Sequence, residues 1–99
     1  MESIKLGELY ATNAMERERE ETYGFRDFCN QCLLRHRDRD WGDLSDEDKA
    51  TNDFAADHDE RILSAYKIPR RFCIGYADEI WIITERNRKL TTILFPYEY

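Results

Sequence analysis

The 99-residue sequence is long enough for one domain, residues 1–99, with a modest core that its 41% hydrophobic and 13% aromatic residues can fill. This composition argues against a disordered chain, although 36% of the residues are charged. No apolar run approaches the roughly 18 residues of a membrane span. The opening MESIKLGELY has no apolar signal segment, so we expect a cytoplasmic protein that does not bind a membrane.

The net charge of −6 is unevenly distributed along the chain. Residues 1–39 are near neutral, at −1, and residues 61–99 carry +3. Residues 40–60 hold nine acids and a single base, Lys49, which gives that segment a net charge of −8. Direct binding to nucleic acid needs clustered Lys and Arg and is disfavoured, whereas a protein partner with a basic surface is favoured.

The N-terminal third predicts a strand and two helices. The strand covers residues 4–12, with an irregularity at Gly7. Asn13 followed by Glu16 is typical of a capping box and predicts a helix that ends near Gly24. A second helix runs from about Arg26 to Arg37. Its predicted buried stripe is Phe25, Cys29, Cys32, Leu33 and His36.

The acidic segment predicts a third helix, over residues 45–58. Ser45 is the expected N-cap, and acids crowd the first turn, where the helix dipole favours them. The predicted inward face comprises Thr51, Phe54, Ala55 and His58. The predicted outward face comprises Asp46, Asp53, Asp57 and Glu60. Spacings of seven and four residues correspond to about 10.5 Å and about 6 Å along a helix, comparable to phosphate spacings along a nucleic-acid strand.

Three C-terminal strands are predicted at residues 61–68, 79–85 and 90–95. A loop at 69–78 and a hairpin at 86–89 join them into an antiparallel meander. The fold class is therefore α+β, a small antiparallel sheet packed against two to three helices, with the N-terminal strand as a further candidate member. The side chains expected to be mostly buried are Phe54, Ile62, Tyr66, Ile80, Ile82 and Leu94.

Four motifs carry a family resemblance that touches nearly the whole chain. They are DWGDL at 40–44, RILSAY at 61–66, IWIITE at 80–85 and TTILFP-x-EY at 91–99. In order and spacing the chain resembles a family of small bacterial proteins carried by plasmids, integrative elements and phages and labelled plasmid-related proteins. The segment LGELYAT at 6–12 and the pair Arg35-His36 fit the same pattern. The resemblance implies an accessory protein of a mobile element, acting inside a bacterial host cell, and implies no established chemistry.

The chain departs from that family pattern in two places. Arg39 stands where the family usually has glycine, and PRRFCIGYAD at 69–78 replaces a very short Asp-Gly hairpin. The longer loop places Arg70, Arg71, Phe72 and Tyr76 at one end of the sheet. It is either a target-specific binding loop or a neutral insertion, because surface loops lengthen at little thermodynamic cost.

The cysteines and histidines have both chemical and structural interpretations. Cys29-x-x-Cys32 is on paper half of a zinc site or a redox pair, but its mid-helix position favours two small apolar residues on a packed helix face. The group Asp57-His58-Asp59, with His36, Asp38 and Asp40, would suffice on paper for a metal or general-base site. On a helix, however, Asp57 and Asp59 point away from His58, because residues adjacent in sequence do not lie on the same helix face. We therefore expect no metal, no cofactor and no enzymatic activity.

Trp41-Gly42 also has two interpretations. Trp41 either closes the core between helices, with Gly42 in a left-handed turn, or is an exposed anchor for a partner. Together these patterns favour a non-enzymatic inhibitor of a host defence nuclease or surveillance complex, of the anti-CRISPR or anti-restriction type, that acts through its acidic surface. The alternatives are an antitoxin-like or adaptor module that binds protein and, less favoured, a small His/Asp enzyme. The expected partner-binding residues are Trp41, Asp46, Asp53, Asp57, Glu60, Arg70, Arg71, Phe72 and Tyr76.

Overall fold

Three helices and four strands build this chain, as described by a computed structural model for residues 2–99. The order is β1 (Glu8–Ala11), α1 (Asn13–Glu21), α2 (Phe25–Arg37), α3 (Asp46–Asp57), β2 (Ile62–Lys67), β3 (Glu79–Thr84) and β4 (Leu90–Leu94). Short 3-10 turns lie at Arg70–Phe72, between β2 and β3, and at Pro96–Glu98, after β4. The predicted α+β class is confirmed.

The sheet has the strand order β1-β4-β3-β2. The C-terminal meander is confirmed, since β2 pairs antiparallel with β3 from Ile62–Thr84 to Lys67–Glu79, and β3 pairs antiparallel with β4. The expectation of a wholly antiparallel sheet is wrong, because β1 pairs parallel with β4. Alternation along a strand predicts which side chains share a face, but it carries no information about the direction of a distant partner.

The helices cover one face of this sheet. The strand side chains on that face are Ile62, Ser64, Tyr66, Ile80, Ile82, Thr84, Thr91 and Ile93. The predicted α2 stripe packs over them, with Phe25, Cys29, Cys32 and His36 buried and Leu33 half-buried. Both thiols therefore lie in the core, and burial raises the pKa of each to about 12.

Helix α1 is capped from the far end of the chain. Thr12, not the predicted Asn13, is the N-cap, and its side chain accepts no hydrogen bond from the first turn. Glu98 takes over that function: its carboxylate accepts from the Ala14 backbone N–H at 3.3 Å and from the Thr12 hydroxyl at 2.5 Å. A carboxylate from the C-terminal turn thus replaces the local capping box.

The N-cap of α3 is as predicted, but its inward face is not. The Ser45 hydroxyl accepts from the Asp48 N–H at 3.1 Å. Of the four predicted inward residues only Ala55 is buried, and Asn52 is the other buried residue of α3. The Asn52 amide donates to the Leu63 carbonyl at 2.8 Å, so the helix turns its small polar side towards β2. The prediction that Phe54 is buried is wrong, because this rotation leaves the residue 55% exposed.

Candidate functional site

The connector Asp40-Trp41-Gly42-Asp43 closes the outer edge of β2. The Ala65 N–H donates to the Trp41 carbonyl at 3.4 Å, and the Asp43 N–H donates to the Ala65 carbonyl at 2.7 Å. The Asp43 carboxylate then accepts from the Lys67 N–H at 2.9 Å. An edge strand with free backbone groups invites pairing with other chains, and this connector satisfies those groups.

Gly42 is required at that edge for two reasons. Its φ is +78°, and a Cβ built on it would lie 2.1 Å from the Ala65 carbonyl oxygen. The side chain of Trp41 lies in a small core cluster with Ile4, Ala55 and Ile62 and is 3% exposed. The core interpretation of the Trp-Gly pair is therefore confirmed, and the indole offers almost no surface to a partner.

The acids of α3 differ in what they bind. The Trp41 indole N–H donates to the Asp53 carboxylate at 2.8 Å. Arg39, with 8% of its side chain exposed, donates to the Asp57 carboxylate at 3.0 Å and to the Asp53 carbonyl at 3.3 Å. Asp53 and Asp57 thus help to hold Arg39 and Trp41 against α3, in addition to any partner binding.

The remaining acids of this segment stay in solvent. Asp46, Glu47, Asp48, Asp59 and Glu60 are exposed, and within residues 2–99 none of their side chains has a hydrogen bond or ion pair. The prediction that Glu60 continues the α3 face is wrong, because the helix ends at Asp57 and Glu60 follows in the turn. The acidic surface is therefore a group at the start of α3 and another just beyond its end.

Phe54 is a surface residue that the sequence analysis missed. Its ring stacks on His58 at 3.8 Å between centroids, and the His58 Nδ1 contacts the Phe54 carbonyl oxygen at 2.8 Å. The prediction that Thr51 and His58 are inward-facing is wrong for both, because each is exposed. The sequence feature that indicates the true inner side of α3 is its small residues, Asn52, Ala55 and Ala56. A helix that lies close beside a strand favours small residues on its inner side.

Arg39 has a left-handed backbone, with φ of +68°. Glycine adopts this conformation readily and most other residues do not. Glycine is thus the favoured residue at this position. The Arg39 guanidinium donates to Asp57 and to the Asp53 carbonyl, while its Nε is buried with no hydrogen-bond partner among residues 2–99.

His36 is the centre of a buried polar network. Its Nδ1 lies 2.5 Å from the Ser64 hydroxyl and its Nε2 lies 2.8 Å from the Thr84 hydroxyl. Thr84 contacts the Thr91 hydroxyl at 2.7 Å, and Thr91 donates to the Leu6 carbonyl at 2.7 Å. Burial, with a smaller effect of the Arg88 charge, lowers the pKa of His36 to about 3.

Within this network, His36 has no free ring nitrogen and no exposed surface with which to bind a substrate. The imidazole is fully buried and both ring nitrogens are occupied, whereas His58 is exposed and stacked on Phe54. The structure therefore does not bring the two histidines together as a general-base pair. In the described residues 2–99, no group of three His, Cys, Asp or Glu side chains is arranged to hold a metal ion.

The loop at 69–78 is anchored to the core. Phe72 is buried and packs edge-on against Phe25 at 5.4 Å, while the Arg71 guanidinium lies 4.5 Å from the Phe72 ring centroid. The Tyr76 hydroxyl donates to Glu18 at 2.7 Å. Of the four loop residues predicted to bind a partner, Arg70, Arg71 and Tyr76 are exposed and Phe72 is not.

Comparisons of the chain with protein-family models, with curated proteins and with solved structures found no match. Among residues 2–99, no helix combines the length and the apolar character that crossing a membrane requires.

Proposed function

We propose that this chain is a non-enzymatic accessory protein of a mobile element that inhibits a host defence nuclease or surveillance complex, of the anti-restriction or anti-CRISPR type. The observation that carries the proposal is the exposed, unpaired group of acids on and just after α3, within a segment of net charge −8. Repulsion within such a group costs stability, so its retention suggests a use. Carboxylates in this arrangement would occupy a basic channel that otherwise binds nucleic acid.

The family resemblance and the engagement of His36 support the same proposal. An accessory protein of a plasmid or phage meets restriction and surveillance complexes whenever its element enters a new host. The fully occupied imidazole of His36 provides no base for catalysis. Inhibition through surface binding needs neither a catalytic group nor a cofactor.

The experiment is a transformation assay in bacterial strains that each carry one defined restriction or CRISPR system. The protein is expressed in the recipient, and survival of a targeted plasmid is counted. The test variant combines Asp46→Asn, Glu47→Gln and Glu60→Gln, which removes three exposed charges without touching the Trp41 and Arg39 contacts. The matched control neutralises three exposed glutamates elsewhere, Glu2, Glu20 and Glu21.

We expect the wild type and the control variant to protect the plasmid and the α3 variant to lose protection. Binding of the purified protein to the affected complex should also weaken steeply as salt rises, because exposed charges are screened. An α3 variant that folds and protects as well as the wild type would refute inhibition through the acidic surface.

The second candidate is an adaptor or antitoxin-like module that binds a protein through an apolar contact. Phe54, at 55% exposure amid the acids, favours it, because exposed aromatic residues often anchor protein interfaces. A partner bound in this way would be released by Phe54→Ala and would show only weak dependence on salt.

A further inference from the structure

The sheet face turned away from the helices, which we name the outer face, is apolar. Its side chains alternate with those of the helix-covered face: Tyr10, Leu63, Ala65, Trp81, Ile83, Leu90, Thr92 and Leu94. Within residues 2–99, none of them belongs to either core cluster, although Ala65, Ile83 and Leu94 are only 2%, 3% and 4% exposed. An antiparallel sheet with one wet face normally alternates apolar and polar residues, but β3 reads Ile-Trp-Ile-Ile, as in strands covered on both sides.

The register places these side chains in rows across the sheet. Tyr10, Thr92, Ile83 and Leu63 form one apolar row, and Leu94, Trp81 and Ala65 form the next. The row before them is charged at its ends, with Glu8 on β1 and Arg61 just before β2, where Arg61 pairs with Glu85 at 3.4 Å. The row after them places Lys67 on β2 beside Glu79 on β3.

The C-terminal residue gives this face only partial cover. The Tyr99 ring lies edge-on to Trp81 at 5.7 Å and 5.3 Å from the Arg61 guanidinium, and the Arg61 side chain donates to the Tyr99 hydroxyl at 2.7 Å. Tyr99 therefore covers part of the outer face at Trp81 and Arg61, and Ile83 is also only 3% exposed. Tyr99 and Tyr10 remain 67% and 55% exposed, so an aromatic surface still meets solvent.

We infer that the outer face binds a second copy of this chain, sheet to sheet, about a two-fold axis parallel to the strands. Rotation about such an axis lays β1 of one copy over β2 of the other at the same level along the strands. Glu8 then faces Arg61 of the second copy, twice by symmetry, and Tyr10 faces Leu63 of the second copy. This charge complementarity favours a copy of the chain as the occupant.

The charges also select the direction of the axis. A two-fold axis across the strands would exchange the two charged rows. It would bring Arg61 over Lys67 and Glu85 over Glu79 of the second copy, which are two like-charge contacts. Aligned packing of two sheets is a common way of covering two apolar faces. Of the α3 acids, Asp48 lines a groove with Leu63 at the β2 edge of this face. The dimer would present two copies of the other exposed acids on and after α3.

Sedimentation equilibrium of the purified chain over a wide concentration range tests the dimer. We expect a dimer that Glu8→Arg weakens at least about tenfold, because like charges then face each other at two symmetric positions. The double variant Glu8→Arg with Arg61→Glu should recover much of that loss. The control Glu20→Arg makes the same charge change on the exposed side of α1 and should leave the dimer unchanged.

A second pair of variants tests the face without its charges. Tyr10→Asp should abolish the dimer, whereas Tyr97→Asp changes a tyrosine of similar exposure that packs instead against Tyr76 and Phe95 and should not. Circular dichroism confirms the fold of each variant. A wild type that stays monomeric at its highest soluble concentration, or a dimer indifferent to both Glu8→Arg and Tyr10→Asp, would overturn the inference. A folded double variant that recovers no affinity would overturn the axis parallel to the strands.

Discussion

Acid should destabilise this protein through a single buried histidine. The pKa of His36 falls from 6.5 to about 3 on folding, chiefly because burial disfavours the charged imidazole. The unfolded chain therefore binds a proton at a pH where the folded chain does not. Stability is fully present above pH 6.5 and is lost progressively as the pH falls towards 3.

The size of the effect follows from those two pKa values. Between pH 7.5 and pH 5, protonation of His36 in the unfolded chain should lower the free energy of unfolding by about 2 kcal/mol. This window lies above the range in which carboxyl groups titrate. The lowered pKa of Asp40, caused mainly by its hydrogen bond with Arg35, and that of Glu18, caused mainly by Thr22, keep these two groups outside it.

Urea unfolding, followed by tryptophan fluorescence at several pH values from 7.5 to 5, measures this loss. His36→Gln retains hydrogen-bonding groups for Ser64 and Thr84 but cannot take up a proton, so its free energy of unfolding should change little across the window. His58→Gln is the control for removal of a histidine at the surface. Equal slopes in the wild type and His36→Gln would refute the assignment to His36.

Three further predictions concern the connector and the core thiols. Gly42→Ala should lower the free energy of unfolding by at least ~2 kcal/mol, because the residue has a left-handed φ and a Cβ there clashes with a backbone oxygen. In the control Gly75→Ala the new Cβ meets no atom within 4 Å, so the free energy of unfolding should change by less than ~0.5 kcal/mol. Chemical denaturation compares the two variants. Trp41→Ala should lower the free energy of unfolding by ~3–5 kcal/mol, because the packing of the indole is lost. Asp53→Asn keeps an oxygen facing the indole N–H and should lower it by less than ~1 kcal/mol in the same assay. Equal decreases in the two variants would show that the hydrogen bond, and not the packing, dominates. Purified protein should contain no stoichiometric zinc by elemental analysis, and a zinc signal that disappears in Cys32→Ser would contradict the assignment of the thiols to the core.

Local patterns were sufficient for much of the fold. The three- and four-residue spacing in α2 identified Phe25, Cys29, Cys32 and His36 as its inner stripe, because a helix repeats every 3.6 residues whatever it packs against. Ser45 before a run of acids placed the start of α3, since capping and the helix dipole act within one turn. Short links between apolar runs likewise predicted the antiparallel meander.

Contacts between distant residues decided the rest. The parallel pairing of β1 with β4, the capping of α1 by Glu98 and the edge closure by the Trp41 connector each join residues far apart in sequence. The rotation of α3 is the clearest case. Its pattern predicted Phe54 on the inner side, but the Asn52 amide donates to the Leu63 carbonyl at the edge of β2, so Asn52 faces inward instead. The sequence alone determined which residues are apolar and how they repeat. Only the tertiary structure decided which side of α3 is buried, because the edge of β2 is the surface against which the helix packs.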